Sequence, residues 1–407
     1  MLNLKSESFL MYKNDILSYQ YDVNEFHQKL HDGVFDMTGW VELPVCISEE
    51  ELCLILDAAA EIQQKYTALV VIGIGGSYLG SCACYEMLEH QCDGVKLYFA
   101  GWNFGSRYHR LLLDKLEKED VAVCVISKSG TTAETTLAFQ LFKRYLQDRY
   151  GDDFSDRVYA ITDPEKGDLR KEADAFGYHT FPLDSAVGGR YSALTAVGLL
   201  PLAAAGIDIR ELLAGAKVAY HDFLNDSVEE NLCYRYAAFR NVMYQQQKYI
   251  EFFTFAEPEM VRFGHWLRQL FAESEGKDGK GIYPTILGYS TDLHSVEQYL
   301  VDGTPVFFET MIDVASYDED LLIPGISHSY NDYNRAVTDA VYHVRNQNET
   351  PIIRLTMDAL DPQNVGYMIY FFEKACAMSC LLMGVNPFDQ PGVESYKKEM
   401  KNLLGLN

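Results

Sequence analysis

The chain has 407 residues, 48% of them hydrophobic and 23% charged, which is more apolar material than one core uses, since single cores stop growing near about 250–300 residues. Its formal net charge of -25 excludes the basic face of a nucleic-acid binder and disfavours anionic membranes. An acidic chain can still hold a phosphorylated ligand, but the site must then be built locally from backbone N–H groups, hydroxyls and a few cations.

Residues 1–65 read as amphipathic helices with a loop around Asp32 and Gly33. Ala68–Ile72 is a short apolar run ending in glycines, the pattern of a buried parallel strand. Lys96–Ala100, Val121–Ile126, residues 157–161 and residues 178–181 continue the series, and a helix over 135–145 follows the third strand. Residues 194–205 form an apolar helix. A second cycle has strands at 248–254, 305–308 and 351–356, and helices at 260–273, 365–383 and 393–404. Strands alternating with helices predict an α/β fold of two doubly wound parallel-sheet subdomains, 66–205 and 206–385. An N-terminal helical segment, 1–65, and a C-terminal helix, 386–407, flank them. No unbroken apolar stretch reads as a membrane span, and residues 1–6 lack the basic-then-apolar pattern of a signal peptide. The nine cysteines, mostly inside apolar runs, read as reduced thiols of a cytoplasmic protein. His27 and His31 are four apart with no evident third ligand, and read as a surface pair rather than a metal site.

Two loops carry chemistry. Residues 73–80, Gly-Ile-Gly-Gly-Ser-Tyr-Leu-Gly, join the first strand to a helix. The dinucleotide fingerprint fails at Tyr78, and a P-loop fails at Ser81, where lysine is required. What survives is a glycine-rich turn with Gly76 and Ser77 at a helix N-terminus, where backbone N–H groups can approach an anion. A tight turn with no ligand explains these residues equally well. Residues 127–135, Ser-Lys-Ser-Gly-Thr-Thr-Ala-Glu-Thr, follow the third strand. Ser127, Ser129, Thr132 and Thr135 offer hydroxyls and Lys128 offers charge. N-capping by Thr132, or a capping box of Thr131 with Glu134, accounts for one or two hydroxyls but not the cluster, so anion binding is the favoured reading.

Together these loops resemble the sugar isomerase module, and further segments narrow the resemblance to the glucose-6-phosphate isomerase family. Residues 187–192, Val-Gly-Gly-Arg-Tyr-Ser, continuing to Pro201, resemble one family signature. Residues 272–277, Ala-Glu-Ser-Glu-Gly-Lys, match the family's E-S-x-G-K segment. Residues 290–295 resemble the histidine segment of the bacterial branch, and residues 388–394 with Lys397 resemble the second signature. The matches run from about residue 70 to 400 in family order. Ala196 stands where proline is expected, and the chain is short for the family.

The resemblance implies isomerisation between glucose 6-phosphate and fructose 6-phosphate through a cis-enediol(ate), in glycolysis and gluconeogenesis. It implies two sugar isomerase subdomains and a homodimer with active sites at the interface, with no metal or organic cofactor. Glu273 would be the base moving a proton between C1 and C2, a role favoured where burial lifts a carboxylate's pKa. Arg190 would stabilise the enediolate. His294, reaching from the partner subunit, and Lys397 would serve ring opening. Gly76, Ser77, Ser127, Lys128, Ser129, Thr132 and Thr135 would bind substrate, with Gln390 and Glu394 in support. Without the resemblance, Glu273 reads as a solvated helix carboxylate, Arg190 as a partner of Asp184, His294 as a cap and Lys397 as a surface lysine. A phosphosugar-binding regulator is a rival reading, but it would not need Glu273, His294 and Lys397. A related isomerase that also accepts mannose 6-phosphate is another.

Overall fold

The computed structural model describes residues 2–317 and 319–405. The chain opens with strand β1 (Leu2–Lys5) and a series of helices ending at Lys65. Strands β2 (Ala68–Ile72), β3 (Lys96–Ala100), β4 (Val121–Ile126), β5 (Val158–Thr162) and β6 (His179–Pro182) form a parallel sheet in the order β3-β2-β4-β5-β6. Strands β7 (Ile250–Phe255), β8 (Tyr283–Gly288), β9 (Phe307–Val314) and β10 (Ile352–Met357) join β1 in a second sheet, ordered β1-β10-β9-β7-β8. Among the described residues only β1 runs antiparallel, against β10. Every residue of β2, β4 and β5 is buried, as expected where helices cover both faces of a parallel sheet.

Helix Pro362–Met383 lies at the centre, started by the Asp361 carboxylate, which accepts from the Asn364 N–H, and stopped at left-handed Gly384. One continuous apolar core takes in this helix and residues of both sheets. By length and mean hydropathy the helix could cross a bilayer, although Glu373 and Lys374 interrupt its apolar run. Its most apolar window is 94% buried inside the fold, so it serves as the core helix here.

Three departures from expectation have physical causes. The helical reading of 1–65 misses β1, whose four residues are too few to show a period; Leu2–Lys5 belong to the second sheet. The strand β8 is missed because Pro284 argues against a strand interior, and β8 sits at a sheet edge where proline is tolerated. The strand at 305–308 is cut short because Glu309, Thr310 and Asp313 interrupt the apolar run, yet all three are buried in β9. Their partners are on neighbouring elements: Tyr289 and Arg345 for Glu309, Glu251 for Thr310, and Arg354 for Asp313.

The two informative loops leave adjacent strands. β2 and β4 pair in register, Ile72 opposite Val125, so the glycine loop and the hydroxyl loop emerge side by side, one strand spacing of about 4.8 Å apart. The chain proceeds to opposite sides of β2 for β3 and β4, which makes this the switch point where open parallel sheets bind ligands.

Candidate active site

The glycine loop packs against two other sequence motifs. Gly75 has φ +57°, and a Cβ there would lie 2.7 Å from Gln269 Nε2. A Cβ on Gly76 would lie 2.0 Å from the carbonyl oxygen of Gly189. Both positions therefore exclude side chains, one by conformation and contact, the other by backbone-to-backbone approach. That approach explains the glycine at 76, whereas nothing in the packing requires the double glycine at 188 and 189. Gly188 has an ordinary φ of -68°, and a Cβ on Gly189 would meet nothing within 4 Å.

Glu273 lies near the end of helix Val261–Glu275, with its side chain 25% exposed. It is not a solvated surface group. Gln269, one turn earlier, donates Nε2 to Glu273 Oε2 at 3.0 Å, and Arg190 Nη1 stands 4.0 Å from the same oxygen. Arg190 is 3% exposed and is not paired with Asp184, whose carboxylate accepts from the Ala186 N–H. Arg190 Nε donates to Ser274 Oγ at 2.8 Å, and Nη2 donates to the carbonyls of Pro387 and Asp389. Nη1 alone is left facing Glu273, a cationic donor 4.0 Å from a carboxylate.

The hydroxyl loop is arranged differently. Ser127 is buried and accepts from the Gly130 N–H at 3.0 Å, and Ser129 and Thr131 share a hydroxyl–hydroxyl bond of 2.7 Å. Thr132 occupies the N-cap of helix Ala133–Tyr150, but no side-chain cap bond forms there. The capping reading therefore fails, and the first-turn N–H groups have no side-chain acceptor among the described residues. Thr135 is buried and Lys128 is exposed. Above the loop lies helix Glu394–Leu404, and a cavity of about 440 Å³ separates them, lined by Ser129, Thr131, Thr132, Lys397, Lys398 and Lys401. Lys397 is 45% exposed and bonds Glu394 at 3.1 Å. The chain thus sets Lys397 over the hydroxyl loop, with no bond to Glu273. Gln390 is exposed beside Asp389, whose carboxylate pairs with Lys277 at 2.6 Å. His294 closes the short turn Thr291–His294 after β8, is exposed, and makes no hydrogen bond or ion pair with another described residue. Ser77 is half-buried at the start of helix Gly76–Leu88.

The Phosphoglucose isomerase family profile matches residues 58–291. Glucose-6-phosphate isomerase of Clostridium perfringens is 42% identical over 100% of this chain and 95% of its own length. That of Alkaliphilus metalliredigens is 43% identical over 93% of this chain and 90% of its own. The chain belongs to the phosphoglucose isomerase family. Among solved structures, a hypothetical protein from Thermus thermophilus superposes with a TM-score of 0.90 at 27% identity, covering 99% of this chain and 100% of that one. A glucose-6-phosphate isomerase from Chlamydia trachomatis shares the fold, with a TM-score of 0.79 at 24% identity over 88% of this chain and 73% of that one.

In this phosphoglucose isomerase family member, several site residues escape sequence reasoning. Gln269 orients Glu273, and its own Oε1 is buried with no partner among the described residues, an open acceptor beside the carboxylate. The i, i+4 spacing of Gln269 and Glu273 is its only signal in the sequence. Within residues 273–277 each polar group has its own task. Ser274 holds Arg190, and Glu275 is fully buried and paired with Arg240, which also bonds Glu251 at 2.8 Å and Ser379 at 2.7 Å. Lys277 holds the 386–389 loop through Asn386 and Asp389. His27 and His31 are also not a surface pair. His27 bonds Tyr234 at 2.6 Å, and His31 lies between Glu42 at 2.7 Å and buried Lys374 at 3.1 Å. Burial, with His31 and Lys374 nearby, lowers the His27 pKa to about 4.

Proposed function

We propose that Glu273 is the base and Arg190 the oxyanion donor of an aldose–ketose isomerase that interconverts glucose 6-phosphate and fructose 6-phosphate. The observation that carries this reading is Arg190 Nη1, left without a hydrogen-bond acceptor among the described residues while every other guanidinium nitrogen is tied down, facing the Glu273 carboxylate at 4.0 Å. Glu273 takes the proton from C2 of the opened aldose and returns it to C1. Charge that develops on the neighbouring oxygens meets Nη1, where a preorganised donor contributes most. Gln269 holds the carboxylate beside Arg190 and offers Oε1 to a substrate hydroxyl.

The phosphate lies at the other end. Ser127, Ser129, Thr132 and Thr135, with Lys128 and the N-terminus of helix Ala133–Tyr150, form its cradle, while Gly76 and Ser77 border the sugar chain. Lys397 and Gln390 close the site from the terminal segment, which Lys277 and Arg190 tether. His294 opens the ring from a second subunit of a homodimer, a reading supported by its exposure and its lack of a bonding partner among the described residues. The enzyme acts in the cytoplasm and needs no metal, because a guanidinium supplies the positive charge.

A coupled assay in EDTA with fructose 6-phosphate tests the activity. Full turnover is expected, and activity that depended on added metal would refute the mechanism. Mixing the inactive variants Glu273→Gln and His294→Ala tests the shared site. Partial recovery of activity on mixing is expected, whereas none would mean that each chain carries its own histidine.

A further inference from the structure

We infer that Ser274 is a positioning residue for the isomerisation, fixing the direction of Arg190 so that Nη1 faces the reacting carbons. The inference rests on the proposed roles of Glu273 and Arg190. Ser274 is 0% exposed and follows Glu273 directly, so helix Val261–Glu275 presents the base and the arginine's anchor in successive residues. Its Oγ accepts from Arg190 Nε at 2.8 Å and lies 3.3 Å from the Tyr191 hydroxyl.

A guanidinium is a planar fork of five donors. Two anchors in that plane define its orientation. One is Ser274 on Nε, and the other is the pair of carbonyls, Pro387 and Asp389, on Nη2. The carbonyls belong to the loop leading to the terminal helix, and Phe388 in that loop packs on the Tyr191 ring at 5.7 Å between centroids. Ser274 is the anchor that moves with the base. If it is lost, the fork can pivot about Nη2, and Nη1 leaves the line to the substrate oxygens. Phosphate binding at the hydroxyl loop, which shares no bond with Ser274 or Arg190, is untouched by that pivot. The cost therefore falls on turnover, since a displaced donor forfeits transition-state stabilisation without releasing the substrate.

The test is steady-state kinetics of Ser274→Ala alone and in an Arg190→Ala background. Ser274→Ala is expected to lower kcat about tenfold to a hundredfold with KM within about threefold, because it misdirects one preorganised donor. In the Arg190→Ala background the same change is expected to leave kcat unaltered, since nothing remains to be positioned. An equal proportional loss in both backgrounds would assign Ser274 a general structural role and overturn the inference, as would an unchanged kcat in Ser274→Ala. Should the alanine variant fail to fold, Ser274→Cys keeps the volume and weakens the acceptor, and the same comparison applies. An inactive wild-type protein would instead refute the proposed function itself, so the two failures are distinguishable.

Discussion

The Glu273 cluster and the hydroxyl loop are built on opposite principles. At the Glu273 end the polar groups are anchored: Glu273 by Gln269, Arg190 by three acceptors, and neighbouring Glu275 by Arg240 inside the core. At the hydroxyl-loop end the groups bond mainly to one another or remain open, with an uncapped helix N-terminus and a half-exposed Lys397. The difference teaches where rigidity is needed. Proton transfer between adjacent carbons demands fixed geometry. A phosphate dianion is held by many convergent donors and tolerates a cradle that is completed only when the anion arrives.

That contrast can be broken first at the buried network. Glu275→Ala leaves Arg240 charged and short of a partner in the core, and urea denaturation should show a loss of about 3–5 kcal/mol. A loss under about 1 kcal/mol would mean that the network does not anchor residues 273–277. A smaller, purely kinetic effect is expected at the open end. Removing Thr132 and Ser129 hydroxyls together should raise KM for fructose 6-phosphate about tenfold, roughly one charge-assisted hydrogen bond's worth, with kcat nearly unchanged. Fold stability should move little, because Thr132 makes no cap bond to lose and the bonds of Ser129 to Thr131 are exposed.

A further effect concerns neither end. His27 is held near pKa 4 in the folded state against about 6.5 when exposed, so the unfolded chain binds more protons in that window. Stability therefore falls as pH drops from about 6.5 towards 4. His27→Gln should flatten part of that slope in thermal melts taken across the window, and an unchanged slope would remove His27 as its source.

The sequence was most legible where function and backbone geometry coincide. Gly75 and Gly76 stand in the chain because a side chain cannot, and the strand-loop-helix pattern alone marks that turn. The clustered hydroxyls of 127–135 likewise exceed what capping needs. Illegible were groups whose role is set by tertiary contact. Gln269 and Ser274 look like ordinary polar helix residues until Arg190 and Gly75 arrive from other parts of the chain. His27 and His31 follow an amphipathic helix pattern that conceals Lys374, more than 340 positions away from His31. β1 and β8 were hidden for a related reason, since a four-residue strand and a proline-bearing edge strand depend on the sheet that receives them.

The central claim is that Glu273 carries the proton between C2 and C1, and hydrogen exchange with solvent tests it most directly. In deuterium oxide, the wild-type protein should place deuterium at the transferred carbon of the hexose phosphate during turnover. Glu273→Gln should bind the same substrate yet incorporate none over the same period. Deuterium uptake by that variant at a near wild-type rate would contradict the assignment and move the base to another residue.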